Sequence, residues 1–173
     1  MTVIKLLNRN EFALYKKIRL ECMKTYPDNF STTYEEEANY KTLKLSHIFS
    51  DEKTNDFIFG AFIENELVGI CGFVHETKIK TKHRGEITQM FVKPNFSKQQ
   101  IGTKLLQAAI DKAFSNNTIE QINLTVIASN EKAVSLYKKV GFIRYGICEN
   151  FYKDENNYWA ETFMFLTRDN YLK

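Results

Sequence analysis

Residues 92–106, VKPNFSKQQIGTKLL, close one apolar run and open another, and the polar residues between them include Lys98 and Lys104 but no acid. The first turn of a helix leaves backbone N–H groups without partners and carries the positive end of the helix dipole. A helix start kept free of carboxylates therefore suits an anion. Pro94 and the single Gly102 fit a short loop leading into that start. An ordinary amphipathic helix reads the same way when this segment stands alone, so the rest of the chain has to decide.

Other candidate chemistries are weaker. His47, His75 and His83 share no ligand spacing with one another or with a cysteine, which argues against a metal centre. Cys22, Cys71 and Cys148 are odd in number, far apart and mostly in apolar stretches, as expected of buried thiols in a reducing compartment. A cytoplasmic location is the resulting expectation. KIKTKHR alternates Lys78, Lys80, Lys82 and Arg84, which on a strand would project to one side. Without interleaved aromatics it reads as a guarded hairpin edge, and nucleic-acid binding is not expected. Glu35, Glu36 and Glu37 read as a solvated first helical turn.

These segments must be positioned by a domain, and bulk properties allow one. A chain of 173 residues, 43% hydrophobic and 26% charged, fits a single domain over residues 1–173. A formal charge of +3 is too mild to name a partner. MTVIKLLNRNEF lacks the apolar run of a signal peptide and no stretch approaches the ~18 apolar residues of a membrane span, so neither export nor membrane insertion is expected.

Along the chain, residues 3–7 read as a strand, and Asn10 is placed to cap a helix over 11–25 with Phe12, Ile18 and Cys22 near one face. Thr33 and Glu36 have capping-box spacing for a second helix through about Ser46. Two β-rich runs flank Glu64-Asn65-Glu66, a hairpin signal, and RGEITQMFV supplies a third strand. A helix over 99–114 buries Ile101, Leu105, Ala109 and Ala113, EQINLTVIA is the next strand, and Asn130 caps a helix that Gly141 ends. FIRYGICEN and the stretch after a polar turn in FYKDENNYWAETFMFL are the last two strands. The expected order is strand, two helices, three strands, helix, strand, helix, two strands.

That order, with the segments around Gly102 and Tyr137, resembles the GNAT superfamily of acetyl-CoA-dependent N-acetyltransferases over nearly the whole chain. The family's cofactor loop follows a strand that often ends V-x-P, and Val92, Pro94, Ile101, Gly102, Leu105 and Leu106 keep its register. Ser97 stands at the usual Arg or Gln position and Gln100 at the first Gly position. LTVIASNEKAVSLYKKVGF matches more fully, with Asn130, Ala133, Leu136, Tyr137, Gly141 and Phe142 at the family's spacing. YWAETFMF is similar to the family's last strand, with Ala160 where an acid is usual.

The resemblance implies an α/β (α+β) domain whose mixed sheet of about seven strands is splayed in the middle and flanked by about four helices. It implies acetyl-CoA as co-substrate and no metal. The backbone of Met90, Phe91 and Val92 would pair with the pantetheine, and the stretch Ser97, Lys98, Gln99, Gln100, Ile101, Gly102 and Thr103 would hold the pyrophosphate. Gln100 would be either right-handed helical or strained by roughly 1–2 kcal/mol. Asn130 would contact the cofactor as well as cap its helix. Tyr137 would protonate the departing thiolate and Glu86 would take the amine proton, the alternative for Glu86 being a pair with Lys82 or Arg84. The implied activity is N-acetylation of a primary amine on a small molecule or peptide. The alternative is an acyl-CoA-binding regulatory module, for which Ser97 and Gln100 are the grounds. Tyr26, Phe30, Tyr34 and YKDENNYW would form an aromatic, partly acidic acceptor mouth, and a homodimer is a further expectation because family members often dimerise.

Overall fold

Seven runs rich in β-branched and aromatic residues form strands: β1 (Val3–Leu6), β2 (Phe57–Ile63), β3 (Glu66–His75), β4 (Arg84–Val92), β5 (Gln121–Ile127), β6 (Ile143–Asp154) and β7 (Asn157–Thr167). The computed structural model describes residues 1–40, 43–50 and 54–171 and joins these strands in one sheet of order β1-β2-β3-β4-β5-β7-β6. All neighbours are antiparallel except β4 and β5, which run parallel. Glu64 and Asn65, both at positive φ, make the tight turn between β2 and β3. Glu155, at φ 48°, opens the turn between β6 and β7.

Helices α1 (Phe12–Thr25), α2 (Tyr34–Asn39), α3 (Ile101–Ser115), α4 (Glu131–Val140) and the short α5 (Arg168–Tyr171) complete the chain. One core lies between the sheet and α3 and includes Leu105, Ile110, Ile87, Tyr137 and Met164. The other lies between the sheet and α1 and includes Tyr15, Ile18, Ile70 and Phe91. Burying each such Leu or Ile stabilises the fold by roughly 1.5–3 kcal/mol.

Local chemistry corrects several expectations. Asn8, not Asn10, caps the first helical segment, because Asn8 and Glu11 form a reciprocal capping box on a 3₁₀ turn over Arg9–Glu11. Phe12 stays 38% exposed, whereas Tyr15, Ile18 and Cys22 form the buried face of α1. The Thr33/Glu36 capping box is present, but α2 ends at Asn39 with Tyr40 extended, and Ser46–Phe49 is a separate 3₁₀ turn. Residues 41 and 42 of the expected longer helix lie outside the described residues. Helix α3 starts at Ile101 rather than Gln99, since Gln100 is left-handed at φ 60°. Residues 78–83 form turns, with the N–H groups of Thr81 and Lys82 both donating to Lys78 O, so the four basic side chains do not share one strand face. Cys22 and Cys71 are buried, but Cys148 is exposed on the edge strand β6.

A bulge in β4 shapes the centre of the sheet. Ile70 pairs with Phe91 while Gly72 pairs with Thr88, leaving an extra residue near Gln89, itself at φ 53°. Ile87 and Phe91 are four residues apart, yet Ile87 packs on the α3 side and Phe91 on the α1 side. Strand β4 pairs with β5 only through Arg84, Gly85 and Glu86. Beyond Glu86 the two strands part.

Candidate active site

A cavity of about 1030 Å³ occupies the opening between β4 and β5. Every cofactor candidate except Gln99 lines it: Met90, Phe91 and Val92 on β4, Ser97, Lys98 and Gln100 in the loop, Ile101, Gly102 and Thr103 on α3, and Asn130 and Tyr137 beyond β5. Glu86 lines it too. At one end stands the start of α3, with no acid in its first turn. Unpaired N–H groups there, the open edge of β4 and the ordinary dimensions of a ligand cavity make a fit for an extended molecule ending in phosphates.

The loop reaches this shape under strain. Lys98 and Gln100 both take positive φ, 66° and 60°. Each costs about 1–2 kcal/mol relative to right-handed backbone. Gly102 matters for a different reason: a Cβ there would lie 3.3 Å from Met90 Cε and 3.5 Å from Leu136 Cδ2, so its lack of side chain lets α3 close on β4 and α4. Asn130 acts as a helix cap, its side-chain oxygen accepting from Ala133 N–H at 3.2 Å.

Tyr137 is buried, with its ring edge-on to Phe142 at 5.9 Å. Burial, and then the Cys71 thiol nearby, push its phenol well above the ordinary tyrosine range, so it keeps its proton at neutral pH. Glu86 is half-buried and forms no salt bridge among the described residues, and Arg84 lies against the Asn123 amide instead.

The opposite end of the cavity holds Tyr152, from the expected YKDENNYW mouth, together with Glu161, which the sequence reading did not single out. Glu161 on β7 is 3% exposed. Tyr152 Oη on β6 donates to its Oε1 at 3.3 Å, while Oε2 has no hydrogen-bond partner among the described residues. Burial raises the Glu161 carboxyl above its ordinary value; the Thr125 and Tyr152 hydroxyls oppose this, and the Glu86 charge adds to it. Burial and Glu161 likewise push the Tyr152 phenol up to about 12. Glu37, expected to be solvated, is buried and accepts from Arg19 Nε at 2.9 Å, and both residues line the cavity. Tyr26 and Phe30 line it as expected, whereas Tyr34 instead packs under Lys24, whose Nζ is 4.2 Å from the ring centroid. No local motif marks Glu161 or Glu37 as a cavity residue, because α1, α2 and the last hairpin meet only in the folded chain.

The model of the acetyltransferase (GNAT) family matches residues 15–142. A spermidine N(1)-acetyltransferase from Vibrio cholerae is 26% identical over 144 residues, 83% of this chain and 80% of that one. An N-alpha-acetyltransferase from Sulfurisphaera tokodaii is 30% identical over 103 residues, 56% of this chain and 62% of the relative, so this match spans less than two thirds of that protein. Among solved structures, a putative acetyltransferase from Salmonella typhimurium, determined with its cofactor acetyl-CoA, superposes with a TM-score of 0.80 at 14% identity, covering 96% of this chain and 94% of that one.

Proposed function

This chain belongs to the acetyltransferase (GNAT) family, and we propose that it moves the acetyl group of acetyl-CoA to a primary amine by direct attack on the thioester. The observation that carries this reading is one continuous cavity with an acid-free helix start at one end and two carboxylates, the half-buried Glu86 and the buried Glu161, at the other. Relatives named as acetyltransferases support it over a binding-only regulatory module. They include one named for spermidine and one for α-amines, so the acceptor class needs its own argument.

In the proposed step the amine nitrogen attacks the thioester carbon while a backbone N–H near Phe91 stabilises the oxyanion. The carbon–sulfur bond then breaks, the thiolate takes the phenolic proton of Tyr137, and the proton lost by the amine passes to Glu86, directly or through water. The high proton affinity of Tyr137 keeps it in the donor form before the step. An ammonium with pKa near ~10 must lose its proton first, which is why a half-buried carboxylate beside the acceptor is needed.

The test is a thermal melt with acetyl-CoA, free CoA and ATP, followed by thiol release with a panel of amines. At one hundred times its dissociation constant, a ligand adds about 2.7 kcal/mol, or roughly 5–10 °C. Shifts with both CoA forms and little with ATP are expected. No shift with any of them at millimolar concentration overturns the reading.

A further inference from the structure

Among the described residues, two buried side-chain polar atoms lack a hydrogen-bond partner, Gln89 Nε2 and Glu161 Oε2, and both residues line the same cavity. Gln89 is 7% exposed and Glu161 is 3% exposed. Buried polar atoms without partners are rare and destabilising, so a donor and an acceptor left open in one cavity outline the polar groups of a ligand.

The orientation of Gln89 is set by its neighbours. Tyr15 Oη donates to Gln89 Oε1 at 2.9 Å. The phenol gives its proton to the amide oxygen, and the amide NH₂ of this cavity residue has no hydrogen-bond partner among the described residues. Tyr15 is fully buried, and burial pushes its phenol up to about 12, so this donor is fixed. Gln89 occupies the β4 bulge at φ 53°, and the bulge turns it toward α1.

Glu161 is open in the complementary sense. Tyr152 occupies Oε1, and Oε2, on the carboxyl that the Thr125 hydroxyl also faces, has no partner within hydrogen-bond geometry among the described residues. It shares a sheet face with Glu86: Glu86 pairs with Asn123, and two and four residues along β5, on the same face, Thr125 and Ile127 pair with Phe163 and Glu161. Among the described residues the buried cation lining the cavity is Arg19, which is held by Glu37 at 2.9 Å. The buried donor beside Tyr15 is therefore uncharged, and it suits a neutral carbonyl better than a carboxylate.

Resting on the acetyltransferase reading, we infer that the acceptor is an α-aminoacyl compound, with its amine held at Glu161 and its neutral carbonyl oxygen bound by Gln89 Nε2. An amino-acid amide and a peptide N-terminus share this chemistry. A polyamine lacks the carbonyl and leaves the Gln89 amide unpaired. Glu161 and Gln89 are specificity residues for the two halves of one group.

The experiment compares kcat/KM for leucinamide, leucyl-glycinamide, 3-methylbutylamine and spermidine, in the wild type, Gln89→Met and Glu161→Gln, with acetyl-CoA affinity measured by calorimetry. The wild type is expected to prefer the carbonyl-bearing amines by about tenfold or more. Gln89→Met brings leucinamide to within about twofold of 3-methylbutylamine and leaves acetyl-CoA affinity unchanged, while Glu161→Gln lowers kcat/KM for both. Equal use of leucinamide and leucyl-glycinamide assigns a small-molecule source, and a preference for the peptide assigns a chain N-terminus; both support the inference. Equal or better use of spermidine or 3-methylbutylamine by the wild type overturns it, even if Gln89→Met does not fold. A Gln89→Met defect confined to acetyl-CoA affinity overturns it as well. Transfer without carbonyl preference sinks this inference alone, whereas neither acetyl-CoA binding nor transfer to any amine takes the acetyltransferase reading with it.

Discussion

The two ends of the cavity are built from different materials. The end formed by β4, the 97–103 loop and the start of α3 offers mainly backbone: an open strand edge, free N–H groups and a helix dipole. The end formed by α1, α2, β6 and β7, with Gln89 from β4, offers buried side-chain pairs, namely Arg19 with Glu37, Tyr152 with Glu161, and Tyr15 with Gln89. Backbone donors are indifferent to side-chain identity, which is why Ser97 and Gln100 can replace more usual residues without removing the helix start. Buried polar side chains have no such tolerance, because removing one partner strands the other.

This contrast predicts its sharpest effect on the side-chain end. Glu37→Gln leaves the Arg19 guanidinium buried opposite a neutral group and should cost about 3–5 kcal/mol in urea unfolding, a loss no single change in the 97–103 loop should match. A midpoint within error of the wild type would mean that the pair contributes no net stability. Tyr137→Phe tests chemistry without stability. Thiol release should fall about a hundredfold while acetyl-CoA affinity and the melting temperature hold, and unchanged turnover would remove Tyr137 as the acid.

Glu161 gives a pH signature. Its folded-state carboxyl lies above the ordinary 4.5, so the stability of the protonated form is complete below that value and is lost as pH rises through the folded value. Glu161→Gln, which mimics the protonated acid, should therefore melt with the wild type at pH 4 and above it at pH 8. Glu86, Tyr152 and Thr125 face this group, and Glu86→Gln should narrow the gap by removing the neighbouring charge. The smallest effect belongs to the backbone end. Gln100→Gly relieves a left-handed conformation at φ 60° and should add about 0.5–1 kcal/mol, part of the relief being offset by a freer unfolded chain. Tighter acetyl-CoA binding in the same variant would show that the strain also opposes the ligand.

The legibility of each region follows the range of the interactions that make it. Helix α4 could be read because its cap Asn130, its buried Tyr137 and its terminator Gly141, at φ 110°, lie within twelve consecutive residues and answer to local geometry. The hairpin through Glu64 and Asn65 was legible for the same reason. The cap ahead of α1 lies two residues earlier than expected because Asn8 and Asn10 are equivalent caps until the Glu11 side chain chooses between them. Glu37 read as solvated because a run of three glutamates at a helix start usually is, and only the approach of Arg19, eighteen residues earlier, makes it a buried partner.

By itself the sequence determined the element order, the acid-free helix start and the spacing around Tyr137, all of which depend on neighbours within a few turns. Tertiary structure alone decided where β4 leaves β5, that the bulge at Gln89 turns this side chain toward Tyr15, seventy-four residues away in the chain, and that Glu161 shares a face with Glu86. The physical reason is that a buried group's proton affinity and unmet hydrogen bonds are properties of what surrounds it, and those surroundings come from five separate elements.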